Sequence, residues 1–302
     1  MKVAALDLGT NTFLLLIADV DGREIQKVHL DETRVTRLGQ GVHATGRFHN
    51  EALARAESAL AEFSGLIRKY NCDRVVAVAT SAARDVENGG ALLEMGARYG
   101  IPIHIISGEQ EAQITFDGAT CDLKNANGAR VIDVGGGSTE IIGFQAGGKL
   151  IGESIDVGSV RLTEKFISAH PCSSRELSAL HAYVREQFAA REFRNLSGTG
   201  VVVAVAGTPT SLVCLERKKD FSEDLVNGFK LSLSRIWEWR DRLAGLSVSE
   251  RQALPGMQPQ RADVLVAGAT ILATAVETLG ASEILVSTKG VRYGVARAWE
   301  SF

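Results

Sequence analysis

Two short polar turns carry the residue types that bind phosphate groups. The first is Gly9-Thr10-Asn11-Thr12, and the second is Gly135-Gly136-Gly137-Ser138. Neither turn has a bulky side chain, so backbone N–H groups can converge on an anion there, and the hydroxyl groups and Asn11 add donors. We therefore predict that Thr10, Asn11 and the four residues from Gly135 to Ser138 bind phosphate. The alternative is that each turn only closes a tight hairpin.

Acidic residues flank both turns. Asp7 precedes the first turn, Asp133 precedes the second, and Glu140 follows the second. A carboxylate does not bind phosphate directly, since like charges repel, but it can hold a divalent cation or orient a water molecule. We predict that Asp133 and Glu140 bind Mg²⁺, with Mn²⁺ as the alternative, and that Asp7 is an outer-shell partner. The alternatives are an Asp side chain that caps its turn and a Glu140 that faces solvent from a strand.

A third turn and two arginines extend this phosphate chemistry. Gly207-Thr208-Pro209-Thr210 follows an apolar segment, and Gly207 and Thr208 are predicted as further phosphate contacts. Arg261 and Arg292 are weaker candidates for the distal part of a long anionic substrate, because a guanidinium matches phosphate geometry. The alternative for either arginine is a solvated position at the end of a helix.

The elements that must position these residues alternate along the chain. Apolar and β-branched runs predict strands, and apolar residues at three- and four-residue spacing predict helices. Asn50 is the predicted N-cap of the first long helix, and 217–229 is a predicted surface loop. Strands are predicted at 3–8, 13–20, 23–28, 74–80, 101–106, 130–134, 140–145, 201–206 and 283–287. Helices are predicted at 51–70, 81–88, 109–116, 162–168, 175–193, 235–243, 262–279 and 292–300.

The pattern restarts in the middle of the chain. Residues 6–12 resemble residues 132–138, each with a strand, an acidic residue and a polar turn. Alternating strands and helices in both halves indicate an α/β protein. We predict two similar domains, 1–122 and 123–290, with the alternative that the closing helix 291–302 completes the first domain.

Composition excludes several classes of protein. A length of 302 residues suggests two domains. A net charge of -3 argues against a general nucleic-acid or membrane-surface binder. Four cysteines without a CxxC pair disfavour a zinc site or a disulfide framework and suggest a reducing cytoplasm. We expect a cytoplasmic protein, since neither a signal peptide nor a membrane-length apolar run is visible.

The paired turns resemble those of the actin-like ATPase superfamily. Four segments resemble motifs of one family within it, the exopolyphosphatase/guanosine pentaphosphate phosphatase family. The later segments 255–263 and 286–294 resemble further motifs of the same family. The four segments are 5–13, 79–85 with Asn88, 106–112 and 131–140. This resemblance implies two RNase-H-like domains with an interdomain cleft, in a short form without extra C-terminal helical domains. One departure is Tyr293, where an acidic residue is common.

The resemblance also implies roles for Glu111 and Arg84. Glu111 matches the position that activates the attacking water, and its alternative is an exposed glutamate in the first turn of a helix. Nearby Glu109 is expected to be solvated. The matched motif favours phosphate contact for Arg84, and its alternative is a surface ion pair with Asp85.

These roles predict hydrolysis of a terminal phosphoanhydride, with release of phosphate from inorganic polyphosphate. Guanosine pentaphosphate (pppGpp) is the first alternative substrate, because it ends in the same anhydride. An actin-like kinase or ATPase, and a non-catalytic polyphosphate or alarmone sensor, are further alternatives. A homodimer is plausible for this architecture, and no nucleic-acid or membrane partner is expected.

Overall fold

The structure, a computed structural model, describes residues 1–84, 86–189, 191, 193, 196, 198 and 200–302, with the backbone alone at positions 43, 81 and 82. The chain folds as two units. Residues 1–118 and 290–302 form the first unit, and residues 119–289 form the second. Both predicted domain boundaries, 122/123 and 290/291, stay predictions.

The described residues of the first unit form five strands and six helices. The strands are β1 (Lys2–Leu8), β2 (Thr12–Asp21), β3 (Glu24–Val35), β4 (Arg74–Ala79) and β5 (Ile103–Ile105). The helices are α1 (Val42–Thr45), α2 (Asn50–Lys69), α3 (Ser81–Arg84), α4 (Gly90–Arg98), α5 (Gly108–Ala119) and the last helix, α13 (Val291–Arg297).

The strands form one sheet with the order β3-β2-β1-β4-β5. β1, β2 and β3 are antiparallel, whereas β4 and β5 continue parallel to β1. Alternate residues of β1 enter two cores, Leu6 with α2 and Ala5 with α13, so both faces of this strand are buried.

The second unit repeats this arrangement with one added edge strand. The strands are β6 (Arg130–Val134), β7 (Thr139–Phe144), β8 (Leu150–Ile155), β9 (Val202–Val205), β10 (Phe229–Ser232) and β11 (Glu283–Val286). The helices are α6 (Ser159–Phe166), α7 (Ser174–Ala189), α8 (Gly207–Arg217), α9 (Glu223–Val226), α10 (Leu233–Ala244), α11 (Val248–Gln252) and α12 (Leu265–Thr278). The sheet has the order β10-β11-β9-β6-β7-β8. α12 consists almost entirely of buried residues and packs against α6, α7, α8 and α10.

The two polar turns occupy the same topological place. In each unit the first strand is antiparallel to the second and parallel to the fourth, and the turn joins the first two strands. Asp7 and Asp133 are each the penultimate residue of their strand. The predicted α/β class, with two units of RNase-H-like strand order, is confirmed.

Several local predictions need correction. His49, not Asn50, precedes the first turn of α2 as its N-cap. Gly207–Thr210 is not an isolated turn but the first turn of α8, where Pro209 is tolerated because the first N–H groups of a helix lack partners anyway. The predicted surface loop 217–229 contains α9 and the first residue of β10. β8 and α4 were not predicted.

Candidate functional site

The first polar turn is held from behind by the segment after β3. Thr36 N and Arg37 N both donate to Asn11 O at 3.0 Å, and Gly39 N donates to Thr10 O at 2.8 Å. Asn11 is 6% exposed, and its Nδ2 has no hydrogen-bond partner in the described part of the chain. A buried amide donor without an acceptor is costly. Such a donor fits an anion bound at this turn.

The second turn is closed by a hydrogen bond between its own backbone groups. Gly135 N donates to Ser138 O at 3.0 Å, which closes the hairpin. Among the described residues, the N–H groups of Gly136, Gly137 and Ser138 donate to no backbone carbonyl. Three consecutive N–H groups without a backbone acceptor are the kind of donor set that an anion-binding turn needs.

Asp133 and Glu140 lie directly opposite each other on β6 and β7, so their side chains share one face of the sheet. Glu140 is 2% exposed, and its Oε1 accepts hydrogen bonds from Ser138 Oγ at 2.7 Å and Ser154 Oγ at 2.6 Å. The solvent-facing alternative for Glu140 is therefore wrong. Asp7 lies opposite Leu14, so no second acid faces it across the hairpin.

These residues fit a weakly coordinated divalent cation. In the part of the chain that the structure describes, no group of three or more His, Cys, Asp or Glu residues is arranged to hold a metal ion. Mg²⁺ characteristically takes one or two carboxylates and completes its shell with water and phosphate oxygens. The Asp133–Glu140 pair provides that number of oxygen ligands, whereas a closed all-protein metal site would need more.

Glu111 and Arg84 are paired in the first unit. Glu111 lies in the first turn of α5, which opens with a reciprocal pair of bonds between Ser107 and Gln110. Arg84 Nη1 donates to Glu111 Oε2 at 2.7 Å and to Ile106 O at 2.9 Å. The Glu111 side chain is 7% exposed, so the exposed alternative is wrong, whereas Glu109 is exposed as expected.

The pairing limits what Arg84 can do. Its Nη1 is used on Glu111 and Ile106, while Nε and Nη2 donate to no acceptor among the described residues. Arg84 can thus orient Glu111 and still present two donors to an anion. Asp85, the alternative partner, lies outside the described residues.

Gly207 and Arg261 are in direct contact in the second unit. A Cβ atom at Gly207 would lie 1.7 Å from Arg261 Nη1 and 2.0 Å from its Cζ, so the guanidinium rests on the glycine backbone. Burial lowers the pKa of Arg261 to about 10. Its one side-chain bond in the described structure is from Nε to Gln258 Oε1 at 3.1 Å. An anion at the start of α8 would compensate this charge.

The residue before Gly207 carries backbone strain. Ala206 has φ 72° and ψ −170°, a conformation that is essentially restricted to glycine. Thr208 is 4% exposed and packs on Gly268, where a Cβ would lie 2.5 Å from Thr208 Oγ1. Strain of this kind clusters at functional sites, which supports a ligand role for the Gly207–Thr208 turn.

Arg292 is placed differently from Arg261. Its Nε and Nη2 donate to the two carboxylate oxygens of Asp31, each at 2.7 Å, and Tyr293 OH donates to Asp31 Oδ2 at 3.2 Å. An acidic residue at 293 would repel Asp31, so tyrosine suits this position. The charge of Asp7 also acts on Arg292. The distal-substrate role of Arg292 stays a prediction.

Sequence reasoning missed the groups that support the turns. Three groups that are distant in sequence contact the candidate residues in the folded chain. They are Ser154, the start of α6 with Arg161, and residues 36–39. Gly158, the N-cap of α6, was a usable signal, because Gly commonly precedes helices. Residues 36–39 carried no comparable signal.

Comparisons with known proteins agree with this arrangement. A family model described as "Ppx/GppA phosphatase family" matches residues 16–301. The chain is 37% identical to exopolyphosphatase 2 of Mycobacterium tuberculosis, over 98% of this chain and 97% of the relative. Two solved structures are also similar. The Aquifex aeolicus member of the Ppx/GppA protein family has a TM-score of 0.81 at 29% identity, covering 100% of this chain and 98% of its own. An exopolyphosphatase from Cytophaga hutchinsonii has a TM-score of 0.87 at 25% identity, with the same coverage.

Proposed function

Because this chain belongs to the Ppx/GppA phosphatase family, we propose that it is an exopolyphosphatase that releases phosphate from the end of inorganic polyphosphate. The family resemblance drawn from the sequence motifs is confirmed, and with it the class of phosphoanhydride hydrolase. The relative at 37% identity bears the same activity in its name.

One observation carries this proposal at the level of chemistry. Each unit presents a turn whose carbonyl groups are bonded from behind and whose donors have no acceptor among the described residues, namely Asn11 Nδ2 and the N–H groups of Gly136, Gly137 and Ser138. Donors fixed in advance favour a substrate with many anionic oxygens. A polyphosphate chain has that character throughout its length.

The mechanism assigns a task to each group. Glu111, oriented by Arg84, accepts a proton from water, and the water attacks the terminal phosphorus in line with the leaving oxygen. Arg84 and the turn amides stabilise the negative charge that spreads over the phosphoryl oxygens. The chain is shortened by one unit and inorganic phosphate leaves.

Asp133 and Glu140 would hold a divalent cation, which we propose is Mg²⁺. When bound, this cation neutralises charge on phosphate oxygens. The hydroxyls of Ser138 and Ser154 orient the Glu140 carboxylate by donating hydrogen bonds to it.

No helix in the described ranges is long and apolar enough to cross a membrane. The cytoplasmic location and a homodimer stay predictions.

The test is phosphate release from three substrates in parallel: long-chain polyphosphate, pppGpp and ATP, with Mg²⁺ and then with a chelator. We expect Mg²⁺-dependent release from polyphosphate and little from ATP. Preferential release from pppGpp would replace the proposed substrate, and phosphorylation of an added acceptor by ATP would indicate a kinase. Polyphosphate binding by folded protein without any release would indicate a sensor.

A further inference from the structure

The glycine turn of the second unit, residues 135–138, is held by the beginning of α6. We propose that Arg161, on that helix, is a positioning residue that fixes the last peptide of the turn so that its N–H group points at bound phosphate. This inference rests on the proposed function for its ligand, but its geometry concerns only the second unit.

Every carbonyl from Gly135 to Gly137 accepts from the α6 segment. Ser159 N and Oγ donate to Gly135 O at 2.9 and 3.1 Å. Val160 N and Arg161 N donate to Gly136 O at 2.9 and 3.1 Å. Arg161 Nε donates to Gly137 O at 2.7 Å. The first two carbonyls thus have backbone partners, whereas among the described residues the third depends on one side chain.

Peptide geometry converts these bonds into donor orientation. A trans peptide is planar, so the C=O of one residue and the N–H of the next point in opposite directions. Holding the carbonyls of Gly135, Gly136 and Gly137 toward α6 turns the N–H groups of Gly136, Gly137 and Ser138 away from it. Three successive glycines lose much conformational entropy when they adopt one arrangement. The hydrogen bonds from α6 offset this cost.

The close approach of α6 to the turn depends on Gly158. A Cβ atom there would lie 2.2 Å from Gly136 O, so a larger residue would push the helix off the turn. The other end of the Arg161 guanidinium faces Asp156, with Nη2 3.6 Å from Oδ1, and the Asp156 side chain is 79% exposed. This exposed ion pair contributes little, so the bond from Nε is the feature to test.

In the first unit, backbone donors hold the carbonyl groups of the turn. There, the carbonyls of Thr10 and Asn11 are bonded by the backbone N–H groups of residues 36, 37 and 39. The equivalent support in the second unit is therefore completed by Arg161, and a single substitution can remove it.

Three substitutions separate positioning from charge. In Arg161→Gln, the amide nitrogen lies the same number of bonds from Cα as Nε, so a donor to Gly137 O is kept while the charge is lost. Arg161→Met keeps the length without a donor. Arg161→Lys keeps the charge but has no donor at that position. Asp156→Asn is the control, because it removes only the exposed ion pair.

Two readouts are needed. The first is kcat and KM for polyphosphate. We expect Arg161→Met and Arg161→Lys to lower kcat/KM about tenfold, the size of one lost hydrogen bond in a preorganised site. Arg161→Gln and the Asp156→Asn control should stay within about threefold of wild type. The second is hydrogen exchange of a peptide spanning 134–139 in the ligand-free protein. We expect this exchange to be faster in Arg161→Met and Arg161→Lys but not in Arg161→Gln.

The opposite ranking of the Arg161 variants would overturn the proposal. If Arg161→Lys retains activity and Arg161→Gln loses it, Arg161 acts through its charge. If all three variants match wild type in both readouts, the side chain positions nothing. Should the wild-type protein hydrolyse no polyphosphate, the proposed function fails, while the exchange measurement still decides the role of Arg161.

Discussion

Glu111 and Glu109 are two glutamates in the same turn of α5 with opposite surroundings. Glu111 is buried on Arg84, and Glu109 is exposed. We expect Glu111→Gln to lower kcat for polyphosphate by about 10²–10⁴, the usual contribution of a general base, while folding and polyphosphate binding are kept. Glu109→Gln is the matched control and should leave kcat unchanged. Phosphate release and a binding titration measure both variants.

Turnover by Glu111→Gln at the wild-type rate would remove Glu111 from the mechanism. Loss of binding together with turnover would instead indicate that the Glu111–Arg84 pair builds the phosphate site.

Arg261 and Arg251 are two desolvated arginines that differ in their partners. Arg251 donates to Leu243 O at 2.7 Å and Ala262 O at 2.9 Å, and also contacts Cys172 Sγ. Arg261 has Gln258 alone among the described acceptors. Because burial lowers the pKa of Arg261 to about 10, its cationic form is disfavoured by folding. This penalty exists in full below pH 10 and is lost as the pH rises above 10 toward the ordinary pKa of arginine.

We therefore expect Arg261→Met to raise the thermal midpoint of the ligand-free protein by about 2 °C and to raise KM for polyphosphate about tenfold. Arg251→Met should lower the midpoint, because two buried carbonyls lose their donor. Differential scanning fluorimetry and steady-state kinetics measure these effects. An Arg261→Met protein with a lower midpoint and an unchanged KM would show that the arginine is structural.

At the scale of elements, α5 and α13 cross with backbone in contact. A Cβ atom at Gly294 would lie 1.9 Å from Ile114 O, and one at Gly118 would lie 2.1 Å from Gly290 O. We expect Gly294→Ala to lower the free energy of unfolding by at least about 2 kcal/mol, since the helix that carries Glu111 must move. Urea unfolding measures the change.

The control for this crossing is Gly65→Ala in α2. A Cβ there would meet no atom within 4 Å, so we expect a gain of about 0.5–1 kcal/mol from the better helix propensity of alanine. Equal effects at Gly65 and Gly294 would contradict the close crossing.

The start of α7 depends on one ionised carboxylate. Glu176 accepts from the N–H and hydroxyl groups of Ser168 and Ser173, and these bonds lower its pKa to about 2. A lowered pKa means that the stabilisation is complete above the unfolded value near 4.5 and is lost as the pH falls toward 2. We expect Glu176→Gln to destabilise the protein at pH 7 and to flatten its stability between pH 5 and 2. Thermal unfolding of both proteins at several pH values measures this. If the midpoint of Glu176→Gln falls between pH 5 and 2 as steeply as that of the wild type, the expectation is wrong.

Local sequence signals predicted most elements but not their supports. β1, the turn after Asp7 and the buried face of α2 follow from apolar runs, glycines and helical spacing. α4 was not predicted, because Gly89, Gly90 and Gly96 obscure the helical spacing of its apolar residues. Gly96 is required at its position, since a Cβ atom there would lie 2.6 Å from Ile101 O. The burial of Glu140 could not be predicted, because it depends on Ser154, a residue of the neighbouring strand.

At the scale of the whole chain, the first unit is completed by residues from the far end of the sequence. Tyr293 is 1% exposed and Val295 is 0% exposed, and both pack against β1, β2 and β4. We expect removal of residues 290–302 to unfold the first unit, because the lost apolar burial is roughly 5–8 kcal/mol, similar to the stability of a domain. Hydrogen exchange should then be fast in β1 and remain slow in α12.

Retained protection of β1 after this truncation would show that α13 is dispensable. A matched substitution, Tyr293→Phe, removes the hydroxyl bond to Asp31 and keeps the buried ring, so β1 should stay protected in that variant.

The return of α13 to the first unit also sets an order of events during translation. Residues 119–289 form a continuous stretch that can complete its fold as soon as it leaves the ribosome, whereas residues 1–118 must wait for residues 290–302. At about 5–20 residues per second, this wait is roughly 9–37 s. During it, the face of β1 that α13 later covers is open to chaperones and proteases, so the part of the enzyme made first is the last to mature.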